Sequence, residues 1–269
     1  TEPATGALRD TLMRDARPLI AALGIALAVH ALFFADGYDL RILTVAGAYA
    51  LMVLGYQFVF GHAGALSLAQ GTFFGIGAYA TGLLALRLGW TFPFTFPASI
   101  LAAVLLALLV SLPVLRLRSH YFALATLGIS QVALLVAIDW VALTGGSNGL
   151  PGVPGVRLFQ TEIPAGLPLA LFVWSWVAVG VLVAARFLTG PTGLRLRLLR
   201  ADPIAADAAG VDGFGHRFAA FLMSAAFGGA AGALFAHTIR IASTDTLEFG
   251  VMVACLSMAV VGGRTRIAG

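Results

Sequence analysis

The sequence predicts an all-α, polytopic membrane protein. Three observations predict it. Sixty per cent of the 269 residues are hydrophobic and only 10% are charged, where soluble domains carry about 25% charged residues. The apolar residues gather in runs near the roughly 20 residues that a spanning helix needs. The arginines fall between those runs, in the pattern that sets orientation in a bilayer.

Taken in order, residues 1–17 are polar, with Arg9, Arg14 and Arg17 ahead of the apolar run Pro18–Ala35. A charged flank before an apolar run resembles a signal peptide. The run is longer than a usual signal core, however, and no clear small-x-small cleavage site follows, so it reads as a retained first span. Eight spans are expected, the last cut short by the end of the chain: Leu19–Phe34, Ile42–Phe60, Ala65–Leu86, Phe94–Leu115, Tyr121–Leu143, Leu167–Leu188, Phe218–His237 and Phe249–Gly262. With the N-terminus in the cytoplasm and the spans alternating, only Arg41, Arg87, Arg157 and Arg240 lie outside. The other twelve of the sixteen arginines lie inside, as the positive-inside rule requires. The division is a cytoplasmic segment 1–17 and one transmembrane domain 18–269, with a cytoplasmic insert at 193–212. The outer loop Thr144–Gly166 is rich in Gly and Pro, a composition that favours tight turns over regular structure. It reads as a lid, a docking surface or a plain connection.

Several function classes are excluded. There is no lysine, so the chain has no P-loop, which needs Lys to reach phosphate. The five histidines, at 30, 62, 120, 216 and 237, show no metal-ligand spacing. No catalytic residue and no GxSxG motif is visible. The acids lie near span ends or in loops, which argues against a carboxylate relay of the proton- or sodium-driven kind. The formal charge of +4 follows from arginines that orient the chain, so no nucleic acid is implied. Cys255, the sole cysteine, reads as a buried, inert thiol.

Within the spans, Gly55–Leu84 is unusual. Gln57, His62, Ser67, Gln70 and Thr72 recur among glycines. Irregular backbone at membrane depth survives only when buried in protein or lining a cavity. The segment therefore breaks its helix, with Ser67 and Gln70 on one face by their spacing. These side chains, and Gln131 in the fifth span, either face a pathway or act as polar glue between helices. Gly71 with Gly75, and Gly228 with Gly232, form GxxxG pairs that pack helices within the subunit or form a dimer seam. Arg116 and Arg118 follow Pro113 at a cytoplasmic turn and snorkel to the headgroups.

The insert Gly193–Asp212 carries the clearest functional signal. Asp202 fits an N-cap and Pro203 a helix start, and Gly210 fits a C-cap. The short helix Pro203–Ala209 between them presents a small surface suited to a groove on another protein.

Five blocks in order, Gly55–Leu84, Leu112–Val132, Leu143–Pro154, Arg200–Asp212 and Phe221–His237, resemble the permease subunits of branched-chain amino acid ABC transporters, of the LivM type. The resemblance covers about residue 42 to the end. It implies an all-helical permease in a bacterial inner membrane, paired with a homologous permease subunit, powered by two cytoplasmic ATPases and supplied by a periplasmic binding protein. It implies no cofactor in this chain, with ATP and Mg bound by the partner subunits. The residues Arg200, Asp202, Pro203, Ile204, Ala205, Ala206, Asp207, Ala208, Ala209 and Gly210 would form the segment that docks to the ATPases, with Asp207 where such segments commonly carry Glu. Implied substrates are leucine, isoleucine and valine, and close relatives carry urea or short amides. Ser119-His120 stands where relatives often have Gly-Asp. The chain ends where relatives continue, so a truncated C-terminus is expected. An ATP-independent facilitator, which would not need the insert, is the alternative class; a membrane assembly subunit with no pathway of its own is a third.

Overall fold

The computed structural model describes residues 37–115, 117, 119–158 and 161–263. The expected first span, the N-terminal arginines, Arg116, Arg118, Arg264 and Arg266 lie outside the described residues. The first helix, α1 (Gly37–Tyr56), runs straight into a π-helical turn, Gln57–His62. After an irregular stretch come α2 (Gln70–Leu88), α3 (Phe92–Val114), α4 (Ser119–Asp139) and the one-turn α5 (Val141–Thr144). A loop with strands β1 (Leu150–Pro151), β2 (Arg157–Leu158) and β3 (Thr161–Glu162) leads to α6 (Leu167–Thr189). Then follow α7 (Pro191–Ala201), α8 (Pro203–Ala208), α9 (Gly213–Ile239), β4 (Ile241–Ala242), a 3-10 turn at Thr244–Leu247 and α10 (Phe249–Val261).

Among the described residues, six helices are long and apolar enough to cross a membrane: α1 with its π turn, α2, α3, α4, α6 and α9. They match six of the eight expected spans, and the all-helical polytopic fold is as expected. The last, expected to be cut short, is α10: at 13 residues it is about 20 Å long, short of the roughly 30 Å hydrocarbon core. One correction concerns the expected span Ala65–Leu86, whose helix begins only at Gln70.

Helix α9 is the central element, packed on α1, α2 and α3. Its small residues explain the position. Ala220, Ser224, Ala225, Gly228, Gly229, Ala231, Gly232 and Ala233 are buried, so neighbouring backbones approach closely, as packing in lipid demands. A Cβ on Gly77 of α2 would lie 2.6 Å from Gly229 Cα. Both GxxxG pairs are used inside the subunit. Gly228 faces Phe73 and Gly232 the Phe74 carbonyl of α2, while Gly71 faces Met252 and Gly75 faces Leu247. Helices α1, α2 and α9 are mostly buried; α3, α4 and α6 leave most of their surface outward, with Leu101, Leu105 and Leu109 of α3 exposed.

One end of the bundle carries α7 and α8. The other carries the loop between α5 and α6, which is more ordered than its composition predicts. β1 pairs antiparallel with β4, and β2 with β3. Glu162 bridges Arg157 at 3.3 Å and Arg240 at 2.8 Å. His237 Nδ1 bonds the Pro154 carbonyl at 2.8 Å, and its Nε2 pairs with Thr95 Oγ1 at 2.9 Å. The loop is thereby tied to α3 and α9.

Candidate functional site

Two regions carry the polar chemistry. The first is the break between α1 and α2. The π turn is closed by wide bonds such as Ala63 N–H to the Phe58 carbonyl, 3.0 Å, and His62 Nδ1 bonds the Gln57 carbonyl at 3.1 Å. Gln57 and His62 are buried. Gln70 opens α2 beside Met52 and Ser224. Those positions lie about ten residues, or roughly 15 Å, short of the His62 and Gly213 ends of their helices. Residues 63–69 therefore cover that depth outside any regular helix, and polar groups left over from the bonds at its two ends need other partners.

Helix α4 supplies them. Leu68 N–H donates to Thr126 Oγ1 (2.9 Å), and Ser130 Oγ donates to the Leu68 carbonyl (2.7 Å). Thr72 Oγ1 donates to Ser130 Oγ at 2.8 Å. Ser67, placed on a helix face by its spacing from Gln70, precedes the helix instead; its Oγ accepts from Ala69 N–H at 3.3 Å. Gln70 is 1% exposed and uses its whole amide. Nε2 donates to the Met52 carbonyl (3.1 Å) and the Ser224 carbonyl (3.2 Å), and Oε1 accepts from Ser224 Oγ (2.6 Å). Sequence reasoning did not single out Thr126, Ser130 and Ser224. The spacing of Thr126 and Ser130, four apart on one helix face, is the signal that points to the first two. Gln131 is half-buried on α4, away from this group's hydrogen bonds.

The acidic residues Asp245 and Glu248 precede α10, as the sequence places them, but the segment bearing them runs down beside α2. The Glu248 carbonyl lies 3.9 Å from a Cβ built on Gly71, next to Gln70. Both side chains are exposed, and the contact with Gly71 sets the start of α10 beside the start of α2.

The second region is the insert. Asp202 is extended at φ −150°, and its Oδ1 accepts from Ile204 N–H (2.9 Å) and Ala205 N–H (3.1 Å). That caps α8, with Pro203 at its first position, where its missing N–H costs nothing. At the far end Gly210 takes φ +74°. Its N–H bonds the Asp207 carbonyl and Val211 N–H bonds the Ala206 carbonyl, each 3.0 Å, which is a Schellman closure. Asp212 then caps α9 through Phe214 and Gly215 N–H at 3.0 and 3.1 Å. Of the ten residues expected to dock, Pro203, Ile204, Ala205, Asp207, Ala208, Ala209 and Gly210 are exposed, as is Asp202. Ile204, the one bulky apolar side chain of α8, is 82% exposed. Ala206 is buried, because α8 rests one face on α7 and α9. Arg200 is exposed as well, and its Nη1 reaches across to donate to the Gly61 carbonyl of the π turn.

Residues 39–269 match the family described as the permease component of branched-chain amino acid transport systems. The high-affinity branched-chain amino acid transport system permease protein LivM of Escherichia coli K12 is 31% identical over 268 residues, 91% of this chain and 63% of that protein. Its counterpart in Salmonella typhimurium LT2 is 30% identical with the same coverage. The chain thus spans 63% of the length of these relatives. The nucleoside ABC transporter permease protein NupC of Lactococcus lactis is 33% identical over 92 residues, 34% of this chain and 26% of that protein. No solved structure matches. The chain belongs to the permease family of branched-chain amino acid transport systems.

Proposed function

We propose that this chain is a membrane-spanning subunit of an ATP-binding-cassette importer for branched-chain amino acids in a bacterial inner membrane. In this reading α7 and α8 lie in the cytoplasm, and the loop between α5 and α6 faces the periplasm. Two cytoplasmic ATPase subunits dock on α8, a homologous permease subunit completes the pathway, and a periplasmic protein delivers the amino acid. ATP and Mg are bound by the ATPases. Closure of the ATPases moves α8, and the spans alternate between outward and inward openings.

The observation that carries the reading is α8 itself. It is a six-residue helix fixed at both ends by its own caps and exposed on the face away from the bundle. A facilitator working alone has no need of such a rigid, small-sided projection between two spans. Membership of a permease family supports the same conclusion.

The test is uptake by the assembled complex in liposomes, with labelled leucine, urea and a nucleoside offered side by side. ATP-dependent leucine uptake is expected. Asp207→Trp, on the exposed face, is expected to cut that uptake several-fold while the chain still inserts. Uptake indifferent to ATP, or unchanged by Asp207→Trp, would overturn the coupling role. ATP-dependent uptake of urea or the nucleoside instead of leucine would keep the class and change the substrate.

A further inference from the structure

We propose that Arg200 is a strap that ties the α7–α8 insert to the helix break between α1 and α2. A displacement of the insert is thereby carried directly into the membrane-embedded break. The inference rests on the coupling reading of α8 given above.

Arg200 stands in the last turn of α7, two residues before the Asp202 cap of α8. Its neighbours Leu196 and Leu199 are buried, so α7 is anchored on its inner face while α8 is left outside. The Arg200 guanidinium crosses to the Gly61 carbonyl. That carbonyl belongs to the C-terminal turn of a helix, where backbone dipoles leave partial negative charge and favour a cation. The side-chain stem is held as well. Gly64 takes φ +70°, and a Cβ there would stand 2.9 Å from Arg200 Cγ and 3.5 Å from its Cβ. Glycine thus admits the stem where other residues would push it out. Guanidinium and stem together grip the chain on either side of His62.

The break also has room to move. Beside it lies a cavity of about 100 Å³, walled by Val59, Ala63, Gly64 and Ala65 of the break and by Leu115, Phe122 and Arg217. A regular helix in this position would resist displacement, because each bond in its ladder is short and repeated. Here the π turn and the non-helical residues 63–69 replace that ladder, with α4 holding only the far end through Thr126 and Ser130. The segment between Gly61 and Leu68 is therefore fixed to the insert at one end and to α4 at the other. Arg200 is a positioning residue in this scheme; it touches no substrate.

The test uses the complete complex in liposomes: the full-length chain with its ATPases, paired permease and binding protein. In Arg200→Gln, uptake per ATP hydrolysed is expected to fall about tenfold, within the usual span of coupling between sites. Complex assembly and ATP hydrolysis should persist, and Arg200→Lys should recover part of the loss. The decisive variant is Gly64→Cys with Arg200→Cys. The Cβ separation of 3.5 Å falls in the disulfide range of roughly 3.5–4.5 Å, and Cys255 is buried. With diamide, thiol titration should show the bond formed, and coupling should return. With dithiothreitol, coupling should be lost again, although the sequence is unchanged. Full coupling in the reduced double variant, or a formed cross-link that leaves the complex uncoupled, would each overturn the strap. If the parent complex takes up leucine regardless of ATP, the coupling reading falls, and the strap with it. ATP-dependent uptake in the parent with an indifferent Arg200→Gln sinks the strap alone.

Discussion

Replacing Gln70 by Leu tests how the break is held inside the bundle. The amide lies in a slot whose walls are glycine: a Cβ on Gly55 would stand 3.0 Å from Gln70 Nε2, and one on Gly228 3.3 Å from it. Three hydrogen bonds leave that slot, two to helix carbonyls and one from Ser224 Oγ. The Met52 and Ser224 carbonyls sit within helices and have a second lone pair engaged along the ladder. Losing Gln70 therefore does not orphan them. The Ser224 hydroxyl is the group left short of its partner. Interhelical hydrogen bonds in membrane proteins are worth about 0.6 kcal/mol each, so three give about 2 kcal/mol of destabilisation. Leu is close to Gln in size, so little cavity cost adds to this. The measurement is reversible unfolding in mixed micelles for the parent, Gln70→Leu, Ser224→Ala and the double variant. The double-mutant cycle isolates the pair, and a coupling of about 0.6–1.7 kcal/mol is expected. A coupling near zero, or a Gln70→Leu protein as stable as the parent, would refute the argument that this amide clasps α1, α2 and α9 together.

Two further outcomes follow from the ends of the molecule. Asp202→Ala removes the acceptor for two N–H groups of α8, worth about 1 kcal/mol for a cap; hydrogen exchange at residues 204–209 should rise while α9 stays protected, and unchanged exchange there would contradict the cap. His237→Phe keeps the ring's packing against Phe92, 5.5 Å away between centroids, but cuts both bonds to Thr95 and Pro154. Proteolysis within residues 144–166 should then accelerate, and an equally resistant loop would show that the β1–β4 pairing alone holds it.

That the chain crosses a membrane, and where most of its helices lie, can be read from its composition along the chain. Burial in lipid is a property of local composition, so runs such as Leu167–Leu188 can be read without knowing their neighbours. Caps are equally local. Asp202, Pro203 and Gly210 act through backbone groups within four residues, and their roles could be read in order along the chain. The break in Gly55–Leu84 was legible from glycines and polar side chains crowded into one apolar segment.

What those side chains touch depends on how distant segments pack. A helix that is apolar nearly all round has no periodic stripe to say which face meets protein and which meets lipid. The partners of Gln70 and Thr72 lie on α1, α4 and α9, remote in sequence. Arg200 reads as part of a docking surface from its place beside Asp202, and it is exposed; the reach of its guanidinium to the Gly61 carbonyl is a contact that spacing along the chain does not contain. Ala206 turns inward because α8 rests one face on α7 and α9. The last apolar run begins its helix at Phe249, as its composition indicates, but its place beside α2 is set by the segment before it, which pairs with β1 and packs beside Gly75. Such choices depend on contacts between distant segments, and no local property of the sequence contains them.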